Sequence, residues 1–312
     1  MNNTYLNKID CKHIAQEIKN EVKQGVRDLG DSPQLATVFV GERPDSAIYV
    51  ANKKKVLEEV DMMSVTSYLQ DTVSTDELLK LIDFYNYAED INGILVQFPL
   101  PSHISERTIL EAIHPLKDVD GLTNVNLGKL MAKEDDGLAP CTPLGVLEII
   151  KRAMPDYKGK KVMVIGRSVL LGKSLTVLLN NEDMVVMNTH SKSNDDIKTH
   201  IDNFKPDVLV SCAGVKNLID VDMVKDSSIK VLIDCAIVRE KGKKEIRGDF
   251  NKEQYDELDK TGIKWTSVPG GVGVLTTAML SKNLLTAYEL QEYAWYRKKK
   301  KKSGFPLFIL FV

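Results

Sequence analysis

Two α/β units, each a parallel sheet covered by helices on both faces, are what the sequence predicts. Three observations lead there. Short apolar runs recur along the 312 residues, several of them closed by Gly or Pro. Amphipathic stretches with helical spacing separate these runs. The runs fall into two series, one from Gln34 to about Gln97 and one opening near Lys160. A chain of this length holds two domains with sizeable cores.

In the first series LATVFVG reads as a strand. Pro44, Asp45 and Ser46 supply turn and N-cap chemistry for a helix from Ala47 to about Val60. SVTSYL is the next strand, TDELLKLIDFYNY an amphipathic helix, and NGILVQF a third strand stopped by Pro99 and Pro101. The second series runs KVMVIG, DMVVMN, PDVLVSCAG, KVLIDCAIV and IKWTSVPG, with the join near PCTPLGVLEIIKR. A last helix over about 276–297 is expected to return to the first unit. The expected domains are therefore 1–145 completed by 276–297, then 146–275, then a basic and apolar tail over 298–312.

Bulk properties exclude several classes. With 43% hydrophobic residues and a formal charge of -2, the chain has no electrostatic signature of nucleic-acid binding. Its four cysteines, Cys11, Cys141, Cys212 and Cys235, form no C-x-x-C pair and have no His at ligand spacing. No metal site or disulfide framework is expected, which suits a reducing cytoplasm. The polar start MNNTYLNKIDCKH is not a signal peptide. Lys298 to Lys302 precede SGFPLFILFV, which is too short to span a bilayer, so no integral membrane segment is expected. That tail either touches an anionic membrane surface, packs on the protein or a partner chain, or stays disordered.

Candidate chemistry sits at a few stretches. In IYVANKKK, at about 100° per residue, Tyr49 and Lys53 share a helix face that continues through Val56 and Val60, while Lys54 and Lys55 rotate away. Lys53 thus occupies an inward position. Either its stem packs while the ammonium reaches water, or it is a partly desolvated amine able to exchange protons near neutral pH. Gln97 ends a strand, at the carboxyl edge where α/β folds place ligands, and either orients a lysine amine or satisfies local backbone. In KDVDGLT, Asp120 is explained by the turn alone or by paired N–H bonds from an aminopyrimidine ring. PGGVGVLT, from Pro269, suggests backbone held against a flat ligand, or a glycine-rich turn with none.

VMVIGRSVLLGKSLTVLL places Gly166 at a strand end and Gly172 at a helix start, as a phosphate-holding turn requires. Its G-x5-G spacing is not the G-x-G-x-x-G fingerprint. Arg167 at the strand crest and Ser191 past the next strand suit a 2′-phosphate, hence NADP ahead of NAD; the bland alternative is a tight turn with an exposed arginine.

The ordered set SAIYVANKK, GILVQFPLP, PLKDVDGLT, PCTPLG, VIGRSVLLGKS, THS, LIDCAI, GD and PGGVG resembles the bifunctional methylenetetrahydrofolate dehydrogenase/cyclohydrolase family over about residues 5–295. The resemblance implies an N-terminal α/β catalytic domain and a C-terminal Rossmann-like parallel-sheet nucleotide domain. It implies that Lys53 is catalytic, that Tyr49 is the aromatic partner of the folate and that Gln97 orients Lys53. Asp120 would grip the pterin, Pro269 and Gly270 would line the same cleft, and Gly166, Arg167, Ser168, Gly172, Ser191 and Ile237 would bind NADP. It further implies oxidation of 5,10-methylenetetrahydrofolate followed by hydrolysis to 10-formyltetrahydrofolate, in one-carbon metabolism and purine biosynthesis, by a cytoplasmic homodimer. The rival expectations are a cyclohydrolase with impaired dehydrogenase activity and a non-catalytic folate- or nucleotide-binding paralogue. The sequence departs from the family pattern at Ser174 and Val274, each replacing a usual proline, and at Ala236, replacing a glycine. Val274 is expected to loosen a loop, and Ala236 to crowd the cofactor by one methyl group.

Overall fold

The computed structural model describes residues 5–41, 44–239 and 245–303, with side chains described over 5–41, 51–239 and 245–295. Its chain forms two compact units. The first takes Val22–Asn126, Asp135–Leu138 and the chain from Ser281; the second takes the chain to Glu21, Leu127–Glu134 and Ala139–Leu280. Helix α1 (Cys11–Leu29) contributes residues to both.

The first unit contains β1 (Gln34–Val40), α2 (Pro44–Glu59), β2 (Met63–Leu69), α3 (Thr75–Tyr87), β3 (Gly93–Val96) and α4 (Glu106–Ala112). Its sheet has the order β2-β1-β3, all parallel, with Val38 opposite both Ser67 and Val96. Six of the seven residues of β1 are buried, as expected of a central strand covered on both faces. A capping box of Ser74 and Glu77 starts α3, which turns Leu78, Ile82 and Tyr85 inward at helical spacing. Helix α2 starts at Pro44, not Ala47: proline's fixed φ suits a first helical turn, where its missing N–H has no partner to lose.

The second unit contains α5 (Asn124–Ala132, its first residues in the other unit), α6 (Cys141–Ala153), β4 (Lys161–Ile165), a π turn at Val169–Lys173 and α7 (Ser174–Asn181). There follow β5 (Val185–Thr189), α8 (Ile197–Phe204), β6 (Val208–Ser211), α9 (Val221–Val224), β7 (Val231–Asp234), the antiparallel pair β8 (Val238–Arg239) and β9 (Ile246–Arg247), α10 (Tyr255–Lys260) and β10 (Lys264–Trp265). The five-stranded sheet is parallel throughout, in the order β10-β7-β6-β4-β5. From β4 the chain winds outward to β5, then returns to β6 on the opposite side. That reversal leaves a crevice between the carboxyl ends of β4 and β6, the position where doubly wound sheets take ligands.

Residues 5–21, 127–134 and 139–145, expected in the first unit, fall instead in the second. Asn7 O accepts the Trp265 N–H at 3.0 Å and Ile9 N–H donates to Trp265 O at 2.8 Å, extending the sheet past β10 and covering what would otherwise be a raw edge. Trp265 is fully buried, stacked on Tyr255 at 4.4 Å between ring centres and met edge-on by Tyr5 at 5.2 Å. The last helix, α11 (Val272–Ser303), begins earlier and ends later than the expected 276–297. From Ser281 it belongs to the first unit, where Asn283 Nδ2 donates to Val119 O and Gln291 Nε2 to Asn92 O. Of the tail expected over 298–312, residues 298–303 continue α11 and 304–312 lie outside the described residues. Among the described residues no helix is long and apolar enough to cross a membrane.

Candidate active site

In the first unit the inward stripe of α2 is real. Lys53 is half-buried, Val56 half-buried, Leu57 and Val60 buried, and Lys54 and Lys55 exposed. Tyr49 stands one turn before Lys53 on the same helix; its side chain lies outside the described residues. Lys53 Nζ donates to Gln97 Oε1 at 3.0 Å. Gln97 follows β3 directly and donates its own Nε2 to Phe98 O at 3.0 Å. That second bond fixes which end of the amide faces the lysine, because the flipped amide would set one donor against another.

The turn at Lys117 to Thr123 is held from inside. Asp118 O accepts the Gly121 N–H at 3.0 Å and Gly121 has φ +67, so Asp120 occupies the third position of the turn, half-buried. Asp118, only 1% exposed, accepts from Thr123 N–H at 2.8 Å and from Asn126 Nδ2 at 2.9 Å. The ammonium of Lys117 donates to Tyr85 O and Ala88 O at the end of α3, and burial pushes its pKa down. Lys117, Asp118 and Asn126 are supports that the sequence reading missed; polar residues beside a D-G turn carry no signal that they will be buried.

In the second unit a cavity of about 780 Å³ opens over the carboxyl ends of β4, β5 and β6. Gly166, Arg167, Ser168 and Ser191 line it, as does His190. Gly172 sits beneath, and a Cβ there would stand 2.2 Å from Gly166 O. Gly166 itself has φ +123, and a Cβ on it would meet Cys212 O at 2.7 Å. Glycine is thus required at both positions for the loop to lie this close to the strand. Such a bare-backbone cradle, with an exposed arginine at its lip, fits a pyrophosphate and an anionic ribose substituent. Ile237 lies after β7, half exposed, and is not part of the cavity wall.

Two buried carboxylates hold the loops after β6 and β7, and the first of these loops lines the cavity. Asp249 accepts from Ser211 Oγ at 2.6 Å, Ala213 N–H at 2.8 Å and Val215 N–H at 2.7 Å. Asp234 accepts from Ala236 N–H at 3.0 Å and Phe250 N–H at 2.8 Å; burial pushes its pKa up to about 6 against those bonds. Gly248 is obligatory, since a Cβ there would lie 2.0 Å from Asp234 Oδ2. Ala236 is buried, its amide held by Asp234.

Pro269 and Gly270 are exposed in the turn after β10, and the Val268–Pro269 bond that leads into it is cis. Val274 lies inside the first turn of α11, not in a loop, so the loosening expected of it has no loop to act on; Val272 and Leu275 are buried and anchor that turn. Ser174 donates its hydroxyl to Val169 O across the π turn, a bond proline could not make.

A doubly wound parallel sheet with a glycine cradle over its switch point defines a nucleotide-binding α/β enzyme, here carrying a second α/β unit with a buried-side lysine. Family models match both parts: the tetrahydrofolate dehydrogenase/cyclohydrolase catalytic domain over residues 9–120 and the NAD(P)-binding domain of the same family over 140–292. The chain belongs to the tetrahydrofolate dehydrogenase/cyclohydrolase family. It is 39% identical over 285 residues to bifunctional protein FolD of Sulfurihydrogenibium sp., covering 90% of this chain and 97% of that protein. FolD of Methanosarcina mazei is 40% identical over 285 residues, covering 90% and 96%. Among solved structures, the bifunctional FolD dehydrogenase/cyclohydrolase of Campylobacter jejuni superposes with a TM-score of 0.81 at 34% identity, covering 90% of this chain and 98% of its own. The Trypanosoma brucei enzyme, complexed with NADP cofactor and inhibitor, gives a TM-score of 0.74 at 31% identity, covering 89% and 94%.

Proposed function

We infer that this protein oxidises 5,10-methylenetetrahydrofolate to the methenyl form with NADP and then hydrolyses that product to 10-formyltetrahydrofolate, in one-carbon metabolism that serves purine biosynthesis. The observation that carries this reading is the Lys53–Gln97 pair at the carboxyl end of β3, in a chain whose second unit offers the nucleotide cradle. NADP, when bound, accepts the hydride. The protein's part in that step is alignment, because the folate nitrogen lone pairs stabilise the methenyl cation without a protein acid. Gly166, Arg167, Ser168, Gly172, Ser191 and Ile237 are assigned to holding the dinucleotide, with Arg167 and Ser191 on the 2′-phosphate.

Hydrolysis needs proton transfers. Water adds to the methenyl carbon, the bond from that carbon to folate N5 breaks, one water proton ends on N5 and the other is released. Lys53 is assigned to that transfer as general acid and base, and Gln97 to aiming its amine. Tyr49 stacks on the aminobenzoate ring, Asp120 accepts the aminopyrimidine N–H pair, and Pro269 and Gly270 contact the folate. The domain reading assigns the folate-binding catalytic part to the unit of Val22–Asn126 with the chain from Ser281, and the NADP-binding part to the unit that holds Ala139–Leu280.

The protein acts as a cytoplasmic homodimer in this reading. Support for a second copy comes from β2, an edge strand with exposed Met63, Val65 and Tyr68. The test is turnover of 5,10-methylenetetrahydrofolate with NADP and, separately, NAD, following the reduced nucleotide and the methenyl intermediate. Hydride transfer with NADP followed by methenyl decay is expected. Methenyl hydrolysis without any hydride transfer would overturn the dehydrogenase half.

A further inference from the structure

We propose that the His190 side chain is a specificity-determining residue that helps clamp the 2′-phosphate, a role that rests on reading the cavity as the NADP site. His190 follows β5 directly and lines the cavity. Its ring is turned by the chain around it. The Lys192 N–H donates to Nδ1 at 3.2 Å, the His190 N–H donates to Ser193 Oγ at 3.1 Å, and Ser193 Oγ pairs with Thr189 Oγ1 at 2.7 Å. With Nδ1 engaged as an acceptor, the ring hydrogen sits on Nε2.

Arg167 Nη1 lies 3.5 Å from that same Nε2. Both atoms are then donors, so the pair is not a hydrogen bond. It is a convergence of two donors, one from the end of β4 and one from the end of β5, with no shared acceptor among the described residues. A phosphate monoester has terminal oxygens enough to bond both, and Ser191, which lines the same cavity, offers a third donor. A bare ribose hydroxyl carries one oxygen and no charge, and leaves the convergence under-served. Asp195 and Asp196 also stand on the cavity wall; Asp196 caps α8, accepting the Thr199 N–H at 2.8 Å, and neither carboxylate is bonded to Arg167 or His190 among the described residues.

Two substitutions separate the clamp from a turn-shaping role. His190→Asn keeps an acceptor near the Nδ1 position and removes the Nε2 donor. His190→Gln keeps a donor near Nε2 and gives up the Nδ1 acceptor. Binding of 2′,5′-ADP and of 5′-AMP to the intact protein is measured by titration calorimetry, with kcat/KM for NADP and NAD alongside. The Asn variant is expected to lose about 10- to 100-fold in 2′,5′-ADP affinity with 5′-AMP unchanged, and the Gln variant to keep most of the preference. An Asn variant that binds 2′,5′-ADP as the wild type does, or that loses both ligands equally, overturns the assignment. If the wild type itself shows no preference for 2′,5′-ADP, the reading of the cavity fails, and the clamp fails with it.

Discussion

Replacing Gln97 by Met tests whether the lysine works alone or as an aimed pair. The substitution keeps length and removes both polar ends: the acceptor 3.0 Å from Lys53 Nζ and the donor 3.0 Å from Phe98 O. A hydrogen bond to an ionisable partner contributes about 1.5–3 kcal/mol, so loss of aiming should slow methenyl hydrolysis by about 10- to 150-fold. Gln97 and Phe98 are only half-buried, so water can serve the freed Phe98 carbonyl, and stability should fall by about 1 kcal/mol or less. The assay is the decay of methenyltetrahydrofolate absorbance, run beside NADP binding and thermal melting. Hydride transfer should suffer less than hydrolysis, because it needs no protein proton. A hydrolysis rate within about threefold of wild type would refute the aiming argument. So would a loss of NADP binding in step with hydrolysis, since Gln97 belongs to the other unit.

Three further outcomes are expected. Lys53→Ala should cut methenyl hydrolysis by about 10²- to 10⁴-fold while NADP binding survives; normal hydrolysis would remove Lys53 from the chemistry. Gly172→Ala forces a methyl to 2.2 Å from Gly166 O, a backbone atom that cannot swing aside. It should cost about 1–3 kcal/mol, seen as a lowered Tm, and weaken NADP; an unchanged Tm and affinity would show the cradle to be loose. Asp234 has its pKa raised by burial from 3.8 to about 6. The folded state therefore holds a proton there that the unfolded chain has lost, so its contribution to stability grows as pH falls from about 6 toward 4 and is lost above. The Tm of wild type minus that of Asp234→Asn should widen over that window, and a flat difference would contradict the burial argument.

The strands were legible because their pattern is local. VMVI and VLVS are apolar runs too short for anything else in an α/β chain, and they became β4 and β6. The inward placement of Lys53 was legible for a similar reason: a charge on an apolar stripe is an anomaly that the period of the helix exposes. What escaped depends on contacts distant in sequence. Nothing in TYLNKI announces that Asn7 and Ile9 will pair with Trp265, and nothing in GDF announces that the Asp249 carboxylate will hold the Ala213 and Val215 amides. Helix ends were displaced where punctuation misled. Pro44 reads as preceding a helix that it in fact opens, and Gly273 falls before the helix expected over 276–297 although it sits in the first turn of α11, where a missing Cβ costs little.

The interleaving of the two units has a consequence for how the molecule is made. On a ribosome the chain emerges from its amino end, and the segment at Leu6 and Asn7 must wait for Asp259 to appear before its bonds can form, a separation of 253 and 252 residues. The first unit waits as well, since Val119 and Asn92 receive their partners only with Asn283 and Gln291. Neither sheet can be sealed during most of synthesis, so both units finish together and late. Long-range closure of this kind slows folding and leaves apolar edges uncovered in the meantime, which makes this a chain whose yield in a cell should depend on chaperone capacity more than its modest size suggests.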